Sequence, residues 1–170
     1  MEPEQTMVRM GEIAVSARRG HQLVALGLGS CIALALLDRR RGTAGLAHVV
    51  LPESPDPAAE RSLRFADHAV PELVGRLVAL GARRVRLEAV LVGGASMFAA
   101  SPALEVGSRN EAAVREQLAS LRIPVLASAT GGTRGRTVRV DVATTAVSVR
   151  EAGGQDTELV RPTRAIEVAA

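Results

Sequence analysis

The sequence predicts an α/β fold, a strand-rich layered sandwich covered by two main helices. Short apolar and β-branched runs, each bounded by glycine, proline or polar turn residues, outnumber the helical stretches. Only two stretches carry apolar residues at helical spacing. These two helices do not alternate regularly with the strands, which argues against a doubly wound parallel sheet and favours separate layers of sheet and helix.

The strands follow one another with short connections through most of the chain. The loop at residues 52–61 contains three prolines, and the polar tail beyond residue 154 is expected to be loose, with one edge strand near its end. The predicted strands span residues 8–15, 22–26, 32–37, 43–51, 85–92, 124–128, 137–142 and 146–150, and the last two form a hairpin. Turns are predicted at residues 17–20, 27–30, 39–42 and 131–135.

The first helix is predicted within residues 62–80, where five apolar residues form one stripe, and Gly81 follows as a C-cap. If Asp67 is its N-cap, Pro71 falls near the end of the first turn, where a missing N–H costs least; otherwise the helix kinks there. The stripe consists of Phe65, Ala69, Leu73, Leu77 and Leu80.

The second helix is predicted to follow a loop through residues 95–109. Asn110 is expected to cap it, and it runs to Leu121 with Val114, Leu118 and Leu121 on its buried face.

The length of 170 residues fits one domain over residues 1–170, with a core at about residues 7–150 and a polar C-terminal tail. Its 47% hydrophobic and 23% charged residues argue against disorder. The longest apolar runs are too short to span a bilayer, and the first ten residues lack the apolar run of a signal peptide. We therefore expect a cytoplasmic protein without membrane insertion.

The net charge of +3 and the pI of about 10.7 suggest nucleic-acid binding at first sight. All basic residues are arginine, however, and they are scattered along the chain, so the pI partly reflects the high pKa of arginine. Two phenylalanines without tryptophan or tyrosine provide no stacking platform for single strands. We expect no nucleic-acid partner.

The sequence Gly27-Leu28-Gly29-Ser30-Cys31 contains the single cysteine of the chain. Two glycines before it permit a turn with positive φ that exposes the thiol and aims backbone N–H groups of Gly29, Ser30 and Cys31 at one point. An exposed nucleophile with nearby oxyanion donors is what covalent acyl transfer requires.

His48 lies 17 residues further on, in the middle of the next predicted apolar strand. A turn between antiparallel strands brings it beside Cys31, where an imidazole would lower the pKa of the thiol and supply a proton to a leaving amine. A lone cysteine in apolar surroundings is nevertheless more often inert, and a histidine on an apolar strand is more often a core residue. The residues alone leave both interpretations open.

Other kinds of site fit the sequence poorly, so we expect neither a metal nor a cofactor. His21, His48 and His68 have no paired metal-ligand spacing, and we interpret His21 and His68 as structural. Ile32 breaks the dinucleotide pattern of the glycine turn, and a chain without lysine cannot form the usual P-loop.

Two further glycine-rich stretches stand out: Gly93-Gly94-Ala95-Ser96-Met97-Phe98 and Gly131-Gly132-Thr133-Arg134-Gly135-Arg136. Glycines at a strand end permit a ligand or another backbone to approach closely, although either stretch can be a simple turn.

Together these stretches resemble the family of chemoreceptor glutamine deamidases, CheD. The resemblance covers about residues 7–150 and rests on five blocks in the order and spacing of that family. The blocks are Gly27-Leu28-Gly29-Ser30-Cys31, Ala47-His48-Val49-Val50-Leu51-Pro52, Gly93-Gly94-Ala95-Ser96-Met97-Phe98, Gly107-Ser108-Arg109-Asn110, and Thr130-Gly131-Gly132 with Arg136.

The resemblance implies an α/β/β sandwich that hydrolyses side-chain amides of particular glutamines on methyl-accepting chemotaxis receptors to glutamate. Receptor methyl-ester hydrolysis is also attributed to the family. A CheC-type phosphatase of the chemotaxis response regulator is a frequent partner. By the same resemblance, Cys31 is the nucleophile and His48 its base, while Gly94, Ser96, Met97 and Phe98 are expected on a surface that meets substrate or partner.

The family's third catalytic residue is a threonine six positions before the cysteine, and this chain has Ala25 there. A backbone carbonyl can orient the histidine in related deamidases, and Ala25 retains one, so we expect it to take that role. The missing hydroxyl also leaves a second interpretation open, in which the chain is a catalytically weak adaptor that binds and regulates a CheC-type phosphatase.

Overall fold

The structure, a computed structural model, describes residues 2–56, 61–96 and 105–163, and within them the chain forms two helices and two five-stranded sheets. The strand-rich α/β prediction is confirmed. The strands are β1 Glu4–Met7, β2 Ile13–Ser16, β3 His21–Leu28, β4 Ile32–Asp38, β5 Thr43–Val49, β6 Glu88–Gly93, β7 Val125–Thr130, β8 Arg136–Asp141, β9 Val147–Glu151 and β10 Thr157–Val160. The helices are α1 Ala66–Ala79 and α2 Val106–Ser120.

Three layers make up the molecule: helices, a central sheet and an outer sheet. The central sheet has the strand order β2-β5-β4-β6-β7, and the outer sheet has the order β1-β3-β8-β9-β10. Both helices pack on one face of the central sheet, and the outer sheet packs on the other, so that two hydrophobic cores lie on either side of it. None of the helices in the described ranges is long and apolar enough to cross a membrane.

Strand β4 shows why the strands of the central sheet have continuous apolar sequences. Ile32, Leu34 and Leu36 belong to the core under the helices. Ala33 and Ala35, which alternate with them, belong to the core between the sheets. Successive side chains of a strand point to opposite faces, so a strand covered on both faces is apolar throughout. The alanines face the outer sheet near the start of the strand, while Leu37 fills the same core near its end.

The prediction of one N-terminal strand at residues 8–15 is wrong, because the chain turns at Met10 and Gly11. Gly11 has a φ of 77°, which ends any regular strand there. Strand β1 pairs in parallel with β3 in the outer sheet, whereas β2 pairs antiparallel with β5 in the central sheet. The N-terminal segment therefore connects the two sheets. The outer sheet begins with β1, ahead of residue 7, where the core was predicted to begin.

The hairpin of β8 and β9 is confirmed, and β10 provides the edge strand expected in the tail. The strand predicted at residues 85–92 begins later, at Glu88. A short 3₁₀ helix, Arg84–Arg86, precedes it and leaves Val85 exposed.

Both helices begin earlier than an N-cap at Asp67 or Asn110 would allow. The N-cap of α1 is Phe65, without a side-chain bond, while Asp67 Oδ1 accepts the N–H of Ser54 at 3.2 Å. Pro71 is the sixth residue of α1 rather than a first-turn residue, and the helix continues through it. Gly81 follows the C-cap with a φ of 105°, in agreement with the predicted helix end.

Helix α2 begins at Val106, so that Asn110 is its fifth residue and caps nothing. Its first turn docks directly on backbone. A Cβ atom on Gly107 would lie 2.6 Å from the carbonyl oxygen of Gly94 and 2.7 Å from that of Ala95. Only glycine permits this approach, since neither carbonyl can rotate away as a flexible side chain would.

We expect Gly107→Ala to lower the free energy of unfolding by about 1–3 kcal/mol, because the methyl group overpacks against two carbonyls. Gly75→Ala is a matched control in α1. It should raise that free energy by about 0.5–1 kcal/mol, because Gly75 is exposed and has nothing within 4 Å of its added Cβ. Urea titrations followed by circular dichroism measure both, and an equal gain in the two variants would refute the tight docking of α2.

Candidate active site

Cys31 lies where the chain passes from the outer sheet to the central sheet. Strand β3 ends at Leu28, three residues follow, and β4 begins at Ile32. The pairing of β3 with β8 is irregular between Ala25 and Leu28. Gly27 lies in this irregularity with a φ of 63°, so it is Gly27, and not Gly29, that supplies the positive φ expected of the glycine turn. The side chain of Cys31 enters the core between the sheets.

The pairing of β4 with β5 brings His48 to the same face. Ala33 pairs with His48, so Cys31, two residues before Ala33, is the diagonal neighbour of His48. Diagonal neighbours on one face of an antiparallel pair are within reach of long side chains. In β5, His48 follows Ala44 and Leu46 at alternate positions, and these two residues belong to the core between the sheets. The two candidate catalytic residues therefore share one buried layer.

A backbone carbonyl orients the imidazole of His48. The ring lies buried, and its Nδ1 is 3.0 Å from the carbonyl oxygen of Val8. A carbonyl only accepts, so Nδ1 carries the proton and Nε2 of the neutral ring has the free lone pair. Nε2 is buried without a hydrogen-bond partner among the described residues. A buried nitrogen with a free lone pair is the acceptor that a general base needs.

The carbonyl of Val8 replaces the carbonyl that we expected from Ala25. Val8 follows β1, and its N–H donates to the carbonyl of Val24 at 2.7 Å, which extends the pairing of β1 with β3 by one residue. Ala25 lies fully buried in the core between the sheets and bonds neither nitrogen of His48. The expectation was wrong because the strand predicted at residues 8–15 concealed the separate N-terminal strand that carries Val8.

The thiol is buried rather than activated in the free protein. Cys31 is 9% exposed, and burial raises the pKa of its thiol above the ordinary value, partly offset by its own backbone N–H. No hydrogen bond joins Sγ to His48 within the described residues. The sequence-based expectation of a lowered thiol pKa is therefore wrong for this state, because desolvation of the thiolate is the larger effect.

Three consecutive carbonyls around Cys31 are bonded from outside the loop. The carbonyl of Gly29 accepts the N–H of Ala95 at 2.8 Å, and the carbonyl of Cys31 accepts the N–H of Gly94 at 2.9 Å. The carbonyl of Ser30 accepts the side-chain amide of Asn110 at 2.9 Å. Within the described part of the chain, the N–H of Ser30 has no hydrogen-bond partner, and that of Cys31 interacts only with the sulfur of its own side chain. Such free N–H groups are available to an oxyanion.

The backbone of the stretch that begins at Gly93 packs against the loop that carries Cys31. A Cβ atom on Gly93 would clash with the carbonyl oxygen of Cys31, and the φ of 116° at this position also strongly favours glycine. Gly94 is buried, which contradicts its expected place on a surface. Ser96 is half-buried, and its N–H donates to the carbonyl of Gly132. Met97 and Phe98 lie outside the described residues.

Arg136 links the glycine-rich stretch after β7 to the stretch that begins at Gly93. This guanidinium is buried and donates to the carbonyl of Gly93 at 3.1 Å and to that of Gly131 at 2.8 Å. The N–H of Gly131 in turn donates to the carbonyl of Gly93. The first, third and fifth sequence blocks thus meet beside the loop of Cys31, and Asn110 of the fourth block joins this loop to Val50 of the second.

Asn110 is the site residue that the sequence analysis missed. It is fully buried, and its Nδ2 donates at 2.9 Å to the carbonyls of both Ser30 and Val50. Its place in the fourth sequence block was the available signal, but the interpretation as an N-cap assigned it a local role. A buried polar residue at the start of an otherwise apolar helix face is better explained by a tertiary partner.

The other histidines bond locally. His21 lies between the hydroxyls of Thr6 and Ser16, each at 2.7 Å, and Nδ1 of His68 contacts the backbone of Ser62. These contacts agree with their interpretation as structural residues. A separate cleft of about 560 Å³ opens between β7 and β10, and it has Arg136, but neither Cys31 nor His48, in its lining.

Comparison with known proteins identifies the family. A family model described as CheD chemotactic sensory transduction matches residues 50–151, which is more than half of the chain. The chain belongs to the CheD family. The matched segment of this CheD-family chain begins after Cys31 and His48, so the family model itself does not cover the candidate dyad.

Individual relatives match a larger share of the chain than the family model does. A protein of Moorella thermoacetica is 42% identical over 159 residues, which is 90% of this chain and 94% of the relative. Proteins of Clostridium kluyveri and Clostridium botulinum strain Hall are 40% and 41% identical, over 78% of this chain and 85% and 84% of the relative. Each relative is named a probable chemoreceptor glutamine deamidase CheD.

The raised pKa of Cys31 predicts slow alkylation of the folded protein at neutral pH. The rate with iodoacetamide should rise with pH and reach half of its maximum at a higher pH than in the urea-unfolded chain, where the thiol has its ordinary pKa of about 8.5. Mass spectrometry follows the reaction without ambiguity because the chain has a single cysteine. A midpoint below that of the unfolded chain would show a preformed thiolate and contradict the desolvated thiol.

Proposed function

We propose that this chain is a chemoreceptor glutamine deamidase, in which Cys31 is the nucleophile and His48 the general base and acid. The observation that carries the proposal is the orientation of His48. Its Nδ1–H is bonded to the carbonyl of Val8, and its free Nε2 lies in the same buried layer as Cys31. The names of the CheD relatives supply the substrate class: side-chain amides of glutamine on chemoreceptors.

The acylation half of the reaction begins with a neutral thiol, because burial raises the pKa of Cys31. When the substrate amide enters, Nε2 of His48 removes the thiol proton and Sγ attacks the side-chain carbonyl carbon of glutamine. The carbonyl oxygen becomes an oxyanion beside the free N–H groups of Ser30 and Cys31. The C–N bond then breaks, and the nitrogen takes the proton from His48 and leaves as ammonia.

The deacylation half uses the same residues. Water attacks the thioester while Nε2 of His48 accepts its proton, and a second oxyanion forms at the same position. The C–S bond breaks, Sγ recovers the proton from His48, and the product is glutamate. Throughout the cycle Nδ1 keeps its proton and its bond to Val8, so that the ring does not need to rotate.

The remaining parts of the proposal concern the whole chain. Residues 1–170 act as a single deamidase domain on receptor segments exposed to the cytoplasm, and a CheC-type phosphatase is a possible regulator that competes for the same surface. No nucleic acid, metal or cofactor enters this mechanism, since thiol, imidazole and backbone supply every proton transfer and charge contact in it.

Two observations favour a second candidate, an adaptor that binds a CheC-type phosphatase but catalyses weakly. Ala25 lacks the hydroxyl that the resemblance leads us to expect, and Cys31 has a raised rather than a lowered thiol pKa. The adaptor would need the same exposed surface but no proton transfer. Turnover on receptor fragments therefore separates the two candidates.

Deamidation of cytoplasmic receptor fragments from the same organism, read as glutamine-to-glutamate conversion by peptide mass spectrometry, tests the enzyme. We expect the wild type to convert specific glutamines and Cys31→Ala to convert none. His48→Gln should lower turnover by about 10²–10⁴-fold, because general-base catalysis is lost.

His21→Gln is the matched control for His48→Gln, because both histidines are buried and hydrogen-bonded but the ring of His21, among the described residues, bonds only Thr6, Ser16 and Arg18. It should retain turnover even if it unfolds at a lower temperature. Equal losses in the two histidine variants would mean that stability rather than chemistry explains the effect. No conversion by the wild type on competent receptors would favour the adaptor.

The Ala25→Thr variant tests whether the carbonyl of Val8 is a sufficient partner for His48. Since Nδ1–H is already bonded, the new hydroxyl should change kcat by less than about threefold. Its cost in stability is read separately by thermal unfolding, because Ala25 is fully buried. A gain in kcat of about tenfold or more would show that the carbonyl replaces the hydroxyl poorly.

A further inference from the structure

Asn110 makes contacts that its position on a helix does not require. It lies fully buried on the face of α2 that meets the central sheet, together with Ala113, Val114 and Leu118. Its Nδ2 reaches two carbonyls at 2.9 Å, on Ser30 and on Val50. These two residues lie at the ends of the strands that carry the candidate nucleophile and the candidate base.

The two acceptors determine how the amide of Asn110 is oriented. Both neighbours are carbonyl oxygens, which can only accept, so the NH₂ group must face them. Oδ1 then points away and has no partner among the described residues. A leucine of similar size would fill the same space and leave both carbonyls unpaired, which is costly for buried groups. The position therefore requires a residue that donates two hydrogen bonds.

The bond to Ser30 also determines the direction of the next N–H. The C=O and N–H of a trans peptide point in opposite directions. Because the carbonyl of Ser30 points to Asn110, the N–H of Cys31 points away from it. The N–H of Cys31 lowers the pKa of its own thiol and so stabilises the thiolate. This effect agrees with an N–H that points toward Sγ. It is free of other hydrogen bonds within the described residues.

The bond to Val50 acts on the other half of the site. Val49, the last residue of β5, pairs with Ile32, so Val50 follows the strand opposite Cys31 and lies two residues after His48. The same amide group thus ties the end of the His48 strand to the peptide before Cys31. One side chain from the helix layer links the nucleophile loop and the base strand, although it contacts neither Sγ nor the imidazole through any recorded hydrogen bond.

We propose that Asn110 is a positioning residue, which acts through the Ser30 carbonyl to aim the Cys31 N–H at the oxyanion formed during deamidation, and through the Val50 carbonyl to hold the strand of His48. The inference rests on the proposed deamidase function. In the acylation step the N–H of Cys31 donates to the substrate oxygen as it becomes negative, and no proton moves along this bond. An interaction made only with the oxyanion affects kcat rather than KM.

The Asn110→Leu variant, assayed on the full chain with receptor fragments, tests the proposal. We expect kcat to fall on the order of 10²-fold with KM unchanged, because an oxyanion donor is misaligned. The limiting rate of Cys31 alkylation by iodoacetamide at high pH, where the thiol is fully ionised, should stay within about threefold of the wild type, since that displacement forms no oxyanion. Asn110→Ala gives the same test if the leucine variant does not fold.

Leu118→Ala is the matched control on the same buried face of α2. It should lower the temperature of thermal unfolding, because it leaves a cavity in the core under the helices, but leave kcat and KM unchanged, because Leu118 takes no part in the hydrogen bonds of the Ser30 and Val50 carbonyls. The proposal is overturned if the Asn110 variants keep kcat within about threefold of Leu118→Ala. It is also overturned if turnover and alkylation fall together, since Asn110 would then merely hold the thiol in place.

A second measurement does not depend on receptor turnover and separates failure of this inference from failure of the proposed function. Labelling with ¹⁵N-cysteine gives one amide resonance, because the chain has one cysteine. As rising pH ionises the thiol, this resonance should shift in the wild type and in Leu118→Ala, and the shift should be largely lost in Asn110→Leu. An equal shift in all three proteins would overturn the proposed aiming of the N–H, whether or not the wild type deamidates receptors.

Discussion

The register between β4 and β5 is the constraint on which the candidate site depends. It pairs Ala33 with His48, and so brings the imidazole and Cys31 to one face of the central sheet. A slip of one residue would turn His48 into the helix layer, because side chains alternate between the faces. The tight connection at residues 39–42 prevents this slip. Asp38, fully buried, accepts the N–H groups of Arg41 and Arg83 and pairs with Arg86, which fixes where the turn begins.

Main-chain atoms, more than side chains, build the surroundings of the thiol. The carbonyls of Gly29, Ser30 and Cys31 are bonded by Ala95, Asn110 and Gly94. Glycine is needed where two backbones meet, at Gly93 against Cys31 and at Gly107 against the segment after β6. This explains why sequence blocks far apart in the chain are glycine-rich. Their glycines allow the strands and the helix to approach one another closely. This packing of backbone on backbone determines the direction of the free N–H groups.

The N-terminal segment takes part in the site although no family block lies in it. Val8 is buried in the core between the sheets, and its carbonyl orients His48. A main-chain acceptor does not depend on the residue type that carries it, so the fold can orient the imidazole without the hydroxyl that is absent at Ala25. The thiol remains neutral at rest because desolvation exceeds the effect of its own N–H. His48 keeps a free nitrogen that can accept the thiol proton. The site therefore suits a reaction that starts from the neutral thiol rather than from a preformed thiolate.

The sequence alone determined the fold class, the approximate positions of β3 to β5 and of the C-terminal hairpin, and the candidates Cys31 and His48. These follow from local patterns: alternation, turn glycines and a lone cysteine after a glycine turn. Only the tertiary structure decided that Val8 and not Ala25 holds the imidazole, that Gly94 is buried, and that Asn110 spans two strand ends. Each of these depends on contacts between residues 40 or more positions apart, which no local pattern reports. The same is true of the raised thiol pKa, because it depends on how completely the outer sheet covers Cys31.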